Sequence, residues 1–354
     1  MSSENPIDIC VVGFGAIGTL YGWLLSRSGK ARISAVCRSN YDTLKEYGVD
    51  VESALYGEEK SWRPYRGKSV SNQSHEAADR DYDFVVGCFK TIPDVATTPE
   101  ILGPLLSRAK TFVLIQNGIG IERDLQAAVP SASVLSACAW IDCTLINNYR
   151  VLRHGDLDRL VVGFHEPLAQ SYAQGGDVAK VAMKDAGNKA LETFVHLLQS
   201  GGGAPTAAVS IVAERWRKNL WNSAFSTLAT LSRADLFEIY EKSAWEINEP
   251  VAAGLMNEVI QVARAIGITE DLLPSTAPRD TIAFAQGSYS DSSKGKPFKP
   301  SMLVDLEAGR PMEVEGIIGA VVKQAKEVGV PVPRLETAYA ALRLLQRRLI
   351  AARA

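Results

Sequence analysis

IDICVVGFGAIGTLYGWLL, Ile7 to Leu25, decides the fold. Its first part, Ile7 to Val12, is short, almost wholly apolar and rich in branched residues, which suits a strand buried on both faces of a parallel sheet. The run passes directly into G-F-G-A-I-G, with glycines at 13, 15 and 18, and Leu20, Leu24 and Leu25 then recur at helical spacing. A glycine triplet alone is weak evidence. Between a buried strand and a helix each glycine acquires a role. Gly13 makes the tight turn, Gly15 lets a pyrophosphate approach the backbone, and Gly18 lets the helix lie against the strand. The helix N-terminus adds unpaired N–H groups and the positive end of its dipole. Gly13, Phe14, Gly15, Ala16, Ile17 and Gly18 are therefore the expected phosphate-binding residues of a dinucleotide site; the alternative is a glycine-rich turn without a ligand.

Outward from this unit the same pattern repeats. Arg32 to Cys37 (RISAVC) reads as the second strand and ends at Arg38, Ser39 and Asn40. A site that prefers NAD would place an acidic residue here, on the ribose 2′-hydroxyl. Arg38 instead suits a 2′-phosphate, so the expected cofactor is NADPH, with a solvated loop cation as the alternative. Tyr82 to Cys88 and Thr111 to Ile115 are two further buried strands, leading into Lys90 and into Asn117. Both residues thus sit at C-terminal strand ends, where such sheets bind ligands; for Asn117-Gly118 the alternative is ordinary turn chemistry. Gly48 to Asp81 is polar and has no assigned role. Val134 to Ala139, Arg150 to His154 and Leu160 to Phe164 are expected strands, with a turn at Gly155 and Asp156 and with His154 satisfied by backbone. Ala169 to Gly187 reads as a loop before a helix over Lys189 to Gln199. Ser200 to Pro205 (SGGGAP) is flexible punctuation, which divides the chain into a Rossmann-type domain, 1–209, and a helical domain, 210–354.

The second part is helical by periodicity over Ile211–Leu231, Ala244–Ala265, Thr281–Ala285, Val314–Val328 and Leu335–Ala352, with a polar loop over Ser288–Pro300. In the first of these helices Trp221, Phe225, Leu228 and Leu231 form the apolar side, while Lys218, Asn222 and Ser226 stand four apart and share another face. A lysine, an amide and a hydroxyl are thus stacked on one stripe, which by itself is ambiguous, because a surface helix carries lysines at the same spacing. Glu313 and Glu315 open a later helix, where the dipole favours carboxylates whatever else they do.

Composition narrows the classes. With 354 residues, 46% hydrophobic, the chain is long enough for two cores, and a formal charge of −2 supplies no field for nucleic acid or an anionic membrane. The start has no secretory pattern and no run approaches a membrane span, so a cytoplasmic protein is expected. The five cysteines, Cys10, Cys37, Cys88, Cys138 and Cys143, are scattered and mostly within apolar runs, as reduced core thiols would be, and no metal site is expected.

These residues together resemble the ketopantoate reductase (2-dehydropantoate 2-reductase) family along essentially the whole chain. The resemblance rests on G-F-G-A-I-G, the strand ending in Arg38, Lys90, the L-I-Q-N-G-I-G run holding Asn117, the helix with Lys218 and Asn222, and S-M-L-x-D-x-x-x-G-R-P-x-E from Ser301 to Glu313. It implies a Rossmann-type NADPH domain, an all-α second domain and an active site in the cleft between them. It further implies Lys218 as catalytic lysine, Glu313 as active-site glutamate, Asn222 and Ser301 as substrate ligands, and Asn117 near nicotinamide and substrate. The expected activity is reduction of a small-molecule 2-oxo acid, foremost ketopantoate to pantoate. A different 2-oxo acid or ketone, or a non-catalytic NADP-binding sensor, is the alternative, and a homodimer is an admitted assembly. Two positions depart from the family pattern: Ser226 stands where a second asparagine is common, and Ala234, Asp235 and Leu236 replace an asparagine region near the helix's far end.

Overall fold

The computed structural model describes residues 6–65, 70–71, 74–166, 176–289 and 298–353. The chain divides into two compact units, one of 1–90, 97–116 and 121–211, the other of 91–96, 117–120 and 212–354.

The first unit is an α/β sheet. In chain order its elements are β1 (Ile7–Val12), α1 (Ala16–Arg27), β2 (Ala31–Val36), α2 (Tyr41–Tyr47), β3 (Val49–Ser53), β4 (Gly57–Trp62), β5 (Val70–Ser71), α3 (Ser74–Ala77), β6 (Phe84–Gly87) and α4 (Thr98–Leu102). There follow β7 (Thr111–Ile115), α5 (Arg123–Ala128), β8 (Ser133–Ile146), β9 (Val151–His165), α6 (Gly176–Ser200) and β10 (Thr206–Ala207). The strands run in the order β4-β3-β9-β8-β7-β6-β1-β2-β5, with β10 on β9. From β5 to β8 every pairing is parallel, as the continuous apolar runs require: Cys10, Val12, Phe112 and Leu114 are buried on one face, Ile9, Val11, Val113 and Ile115 on the other.

Three expectations for this unit are corrected. Gly155 and Asp156 do not turn the chain but lie inside β9, which pairs antiparallel with β8 from Val134↔His165 to Ile146↔Val151. The turn falls at Asn147, Asn148 and Tyr149, all with positive φ (51°, 52° and 65°), a conformation that asparagine tolerates well. Helix α6 begins at Gly176 rather than Lys189, and the earlier part of the expected loop, 169–175, lies outside the described residues. His154 is engaged by a side chain and not by backbone: its Nδ1 lies 2.8 Å from the Ser53 hydroxyl and its ring stacks on Tyr56 at 5.4 Å, while its buried Nε2 has no partner among the described residues.

The polar stretch from Gly48 has a structural role. After α2 the chain crosses to the far edge of the sheet, where β3 pairs parallel with β9 and antiparallel with β4. The hairpin then covers α1. Trp23 donates its indole N–H to Glu59 (2.6 Å), Trp62 donates to the Ser26 hydroxyl (3.1 Å), and the Trp62 ring stacks on Phe14 at 5.9 Å. Burial pushes the thiols of Cys10 and Cys37 up to about 12, so both are protonated core groups.

The second unit is all helix: α7 (Ile211–Trp221), α8 (Thr227–Ser232), α9 (Leu236–Tyr240), α10 (Lys242–Ala265), α11 (Ala277–Tyr289), α12 (Ser301–Glu307), α13 (Ala320–Val328) and α14 (Pro333–Ala351). Two π-turns interrupt the periodicity, Asn222–Ser226 between α7 and α8 and Glu315–Gly319 before α13. Its core is continuous from Trp216 and Leu220 through Met256 and Val259 to Ile318 and Leu335. Part of the expected 288–300 loop, 290–297, lies outside the described residues; Ser301–Glu307, to which the sequence assigned no element, is helical. Among the described residues no helix is long and apolar enough to cross a membrane.

Glu258 pins the last helix. Buried in α10, its carboxylate accepts from the backbone N–H of Arg334 (3.1 Å) and of Leu335 (2.9 Å) and from the Arg334 guanidinium (3.3 Å). It caps the first turn of α14 from a distance, satisfying donors that a helix start leaves unpaired. Glu258→Ala strands both N–H groups, and we expect a loss of about 2–4 kcal/mol, read as a lower unfolding midpoint in a urea titration.

Candidate functional site

The glycine turn is built as its sequence requires. β1 ends at Val12, and the N–H groups of Gly13 and Phe14 both reach the Val36 carbonyl of β2, at 2.9 and 3.3 Å. Gly13 has φ +87°, and a Cβ there would stand 2.5 Å from the Phe89 nitrogen. At Gly18 a Cβ would meet the Gly13 carbonyl oxygen at 2.4 Å, so α1 packs onto the turn itself. Gly15 is different: nothing lies within 4 Å of where its Cβ would be. This glycine therefore opens space above the start of a 12-residue helix whose first turn carries no acidic residue and whose N-cap makes no side-chain bond. An open cradle over unpaired helix N–H groups fits the pyrophosphate of a dinucleotide. Phe14 presents only its backbone there, since its ring is buried between Gly22 and Trp62.

Arg38 and Lys90 extend this edge. Strands β6, β1 and β2 are adjacent and parallel, so Lys90, the glycine turn and Arg38 follow three neighbouring C-terminal strand ends. Both cations are exposed. Asn40, by contrast, is buried and donates its amide to the Phe14 carbonyl at 2.6 Å. In the fold it braces the glycine turn. Gln116 does similar work on the next loop, donating to the Phe89 carbonyl at 2.7 Å.

The second unit gathers the remaining residues. Glu313 is buried, and its two carboxylate oxygens accept from the Thr91 backbone N–H (3.1 Å) and from the Asn117 amide (3.4 Å). The Asn117 segment is held in turn: Ile119 N–H donates to the Gly316 carbonyl (2.8 Å) and Arg215 donates to the Gly118 carbonyl (3.1 Å). On α7, Asn219 donates its amide both to the Ser223 hydroxyl (3.0 Å) and to the Ile317 carbonyl (2.9 Å). The two π-turns are thus tied together, and with them the helix of Lys218 and the segment of Glu313. Ser301 is exposed at the first position of α12, which packs against the Asn222–Ser226 turn.

The Lys218–Asn222–Ser226 stripe is not the regular α-helical face that a four-residue spacing predicts. Lys218 and Asn222 are joined by α7, but Asn222–Ser226 is a π-turn, whose five-residue hydrogen-bond spacing shifts everything after it by one position. Ser226 is only 1% exposed, and its carbonyl accepts from the Thr230 hydroxyl at 2.6 Å. Thr227, next in line, is as deeply buried, and its hydroxyl has no partner.

Comparison with known proteins supplies the family. Residues 9–167 match the family described as ketopantoate reductase PanE/ApbA, and residues 210–346 match its C-terminal domain. A crystal structure of 2-dehydropantoate 2-reductase from Methylococcus capsulatus superposes with a TM-score of 0.75 at 30% identity, covering 97% of this chain and 98% of that one. The chain belongs to the ketopantoate reductase family. Two family relatives span it equally well. An uncharacterized protein of Saccharomyces cerevisiae is 29% identical over 96% of this chain and 94% of its own length. The 2-dehydropantoate 2-reductase of a Nostoc species is 24% identical over 97% of each. The family is one of oxidoreductases, and the observed α/β unit followed by a helical unit is its architecture.

Sequence reasoning missed Thr91 and Arg215. Thr91 acts through its backbone N–H, which no side-chain pattern reports, and Arg215 reads as one more charge in E-R-W-R-K until the fold buries it against the Gly118 carbonyl.

Proposed function

We propose that this family member reduces a 2-oxo acid with NADPH, Lys218 serving as proton donor. The observation that carries this reading is the fixed carboxylate of Glu313, held by Thr91 N–H and the Asn117 amide on a segment tied through Asn219 to the helix of Lys218. When held at the glycine turn and Arg38, NADPH would supply the hydride for the carbonyl carbon. The chain's own part is to orient and to protonate. Lys218 donates the proton to the carbonyl oxygen and stabilises the alkoxide as its charge develops, which needs a positioned cation in a partly water-excluded site. Glu313 orients that ammonium, Asn222 hydrogen-bonds the carbonyl end, and the Ser301 hydroxyl donates to the substrate carboxylate. The turn from Gly13 to Gly18 receives the pyrophosphate, Lys90 and Asn117 complete the cofactor side, and Arg38 pairs with the 2′-phosphate. Ketopantoate, which would yield pantoate, is the reference substrate. A second reading, another 2-oxo acid, is favoured by Ser226, which stands where an amide would hold a polyol and is itself only 1% exposed.

The test is a steady-state assay following NADPH absorbance with ketopantoate and a series of other 2-oxo acids. Turnover of at least one of them, with kcat/KM for NADPH exceeding that for NADH by tenfold or more, is expected. Arg38→Ala should remove most of that preference by weakening NADPH alone. Equal use of NADH by the unaltered protein would refute the Arg38 assignment, and turnover of no 2-oxo acid would refute the reductase reading.

A further inference from the structure

We propose, building on the reductase reading above, that the substrate is a 2-oxo acid with an aryl side chain, which packs against Trp221. The balanced reaction is the same: 2-oxo acid, NADPH and a proton give 2-hydroxy acid and NADP+, the hydride forming the new C–H bond and the proton the O–H bond.

The argument starts from position. Trp221 follows Lys218 by three residues and precedes Asn222 on the same helical segment, so its ring flanks the face that carries them. Phe298 stands three residues before Ser301, and its ring lies 6.2 Å from that of Trp221. Trp221 is thus one helical turn from the group proposed for the carbonyl, and its ring meets Phe298, three residues before the group proposed for the carboxylate. An aryl third substituent of a substrate held at both points would pack on this wall.

The wall is aromatic and rigid. Trp221 meets Phe225 at 5.9 Å, Tyr289 at 6.5 Å and Phe298 at 6.2 Å, while Tyr289 and Phe298 stack at 4.4 Å. Behind Phe225 the series continues through Tyr240 at 5.7 Å to Trp245 at 4.4 Å. Phe225 is wholly buried, whereas Trp221 keeps part of its surface open. Edge-to-face and stacked contacts of this kind favour another flat ring over a branched polyol.

Three groups at this end are already committed or withdrawn. Asp235 is engaged as the N-cap of α9, accepting from Glu238 N–H at 3.0 Å. Leu236 is fully buried, its N–H donating to the Phe298 carbonyl at 3.0 Å. Ser226 is 1% exposed. A substrate with two hydroxyls would lose its water there and meet rings, which is costly for unpaired polar groups.

The test measures kcat/KM for phenylglyoxylate, ketopantoate and pyruvate at saturating NADPH, with unaltered protein and with Trp221→Ala, Trp221→Leu and Trp221→Phe, each checked for folding by circular dichroism. Phenylglyoxylate is expected to exceed ketopantoate by tenfold or more. The ratio of phenylglyoxylate to pyruvate should fall at least tenfold in Trp221→Ala, or in Trp221→Leu if the alanine variant does not fold, and should be largely kept in Trp221→Phe. Ketopantoate as the better substrate, or an unchanged ratio in the truncated variants, overturns the aryl pocket while leaving the reductase reading intact. Turnover of none of the three by the unaltered protein overturns both.

Discussion

Lys218→Ala should lower turnover by two orders of magnitude or more while NADPH still binds. The size follows from the proposed proton transfer, because a positioned general acid contributes about 10²–10⁴ in rate, and a cation facing a developing alkoxide contributes further in a site that excludes water. Since the interaction grows only as charge develops, kcat should fall more than KM rises. Structure should hardly change. Lys218 is partly exposed on α7, whose core side is carried by Trp216 and Leu220, so removing the lysine leaves packing intact. Single-turnover kinetics and a fluorescence titration with NADPH check both halves. Near-normal turnover would show that the proton comes from elsewhere, and lost NADPH affinity would mean the lysine serves the cofactor.

Gly13→Ala should be the most damaging single change in the α/β unit. The added methyl would stand 2.5 Å from the Phe89 nitrogen and 2.8 Å from the Cys88 carbonyl carbon, and the residue keeps φ +87°. The left-handed backbone alone costs about 1–2 kcal/mol. The contacts are with backbone rather than a side chain that could swing aside, so the β6 exit must shift, and with it Lys90. We expect both a lower melting temperature and NADPH affinity reduced by tenfold or more. Gly15→Ala is the matched control: φ is −76° and no atom lies within 4 Å of the new methyl. It should melt with the unaltered protein yet bind NADPH more weakly, because the methyl fills the space left for the phosphates. Equal NADPH affinity in Gly15→Ala and unaltered protein would place the pyrophosphate elsewhere.

The contrast between these two glycines shows why some of this protein was legible in its sequence. A strand, a turn with positive φ and a helix start are local events, fixed by residues within one short span, so Ile7 to Leu25 specified them directly. The placement of Arg38 and Lys90 was legible for the same reason, each following a recognisable buried strand. The helical placement of Lys218 and Asn222 was readable because an α-helix carries a four-residue spacing without outside help.

What only the tertiary structure decided depends on partners far away in the chain. The polar stretch after Gly48 became a covering hairpin because β9, a hundred residues later, offered an edge for β3. The Asn222–Ser226 π-turn leaves Ser226 buried, and Asn219, bonded to the Ser223 hydroxyl within that turn, reaches to Ile317. Glu313 looked like a helix-opening carboxylate until the fold set Thr91 N–H and the Asn117 amide on its two oxygens. Sequence thus determined which chemical groups the protein owns and where the dinucleotide turn begins. Tertiary structure decided which groups hold the Glu313 carboxylate and which rings gather on Trp221, because hydrogen bonds and ring contacts between distant segments leave no periodic trace in any one of them.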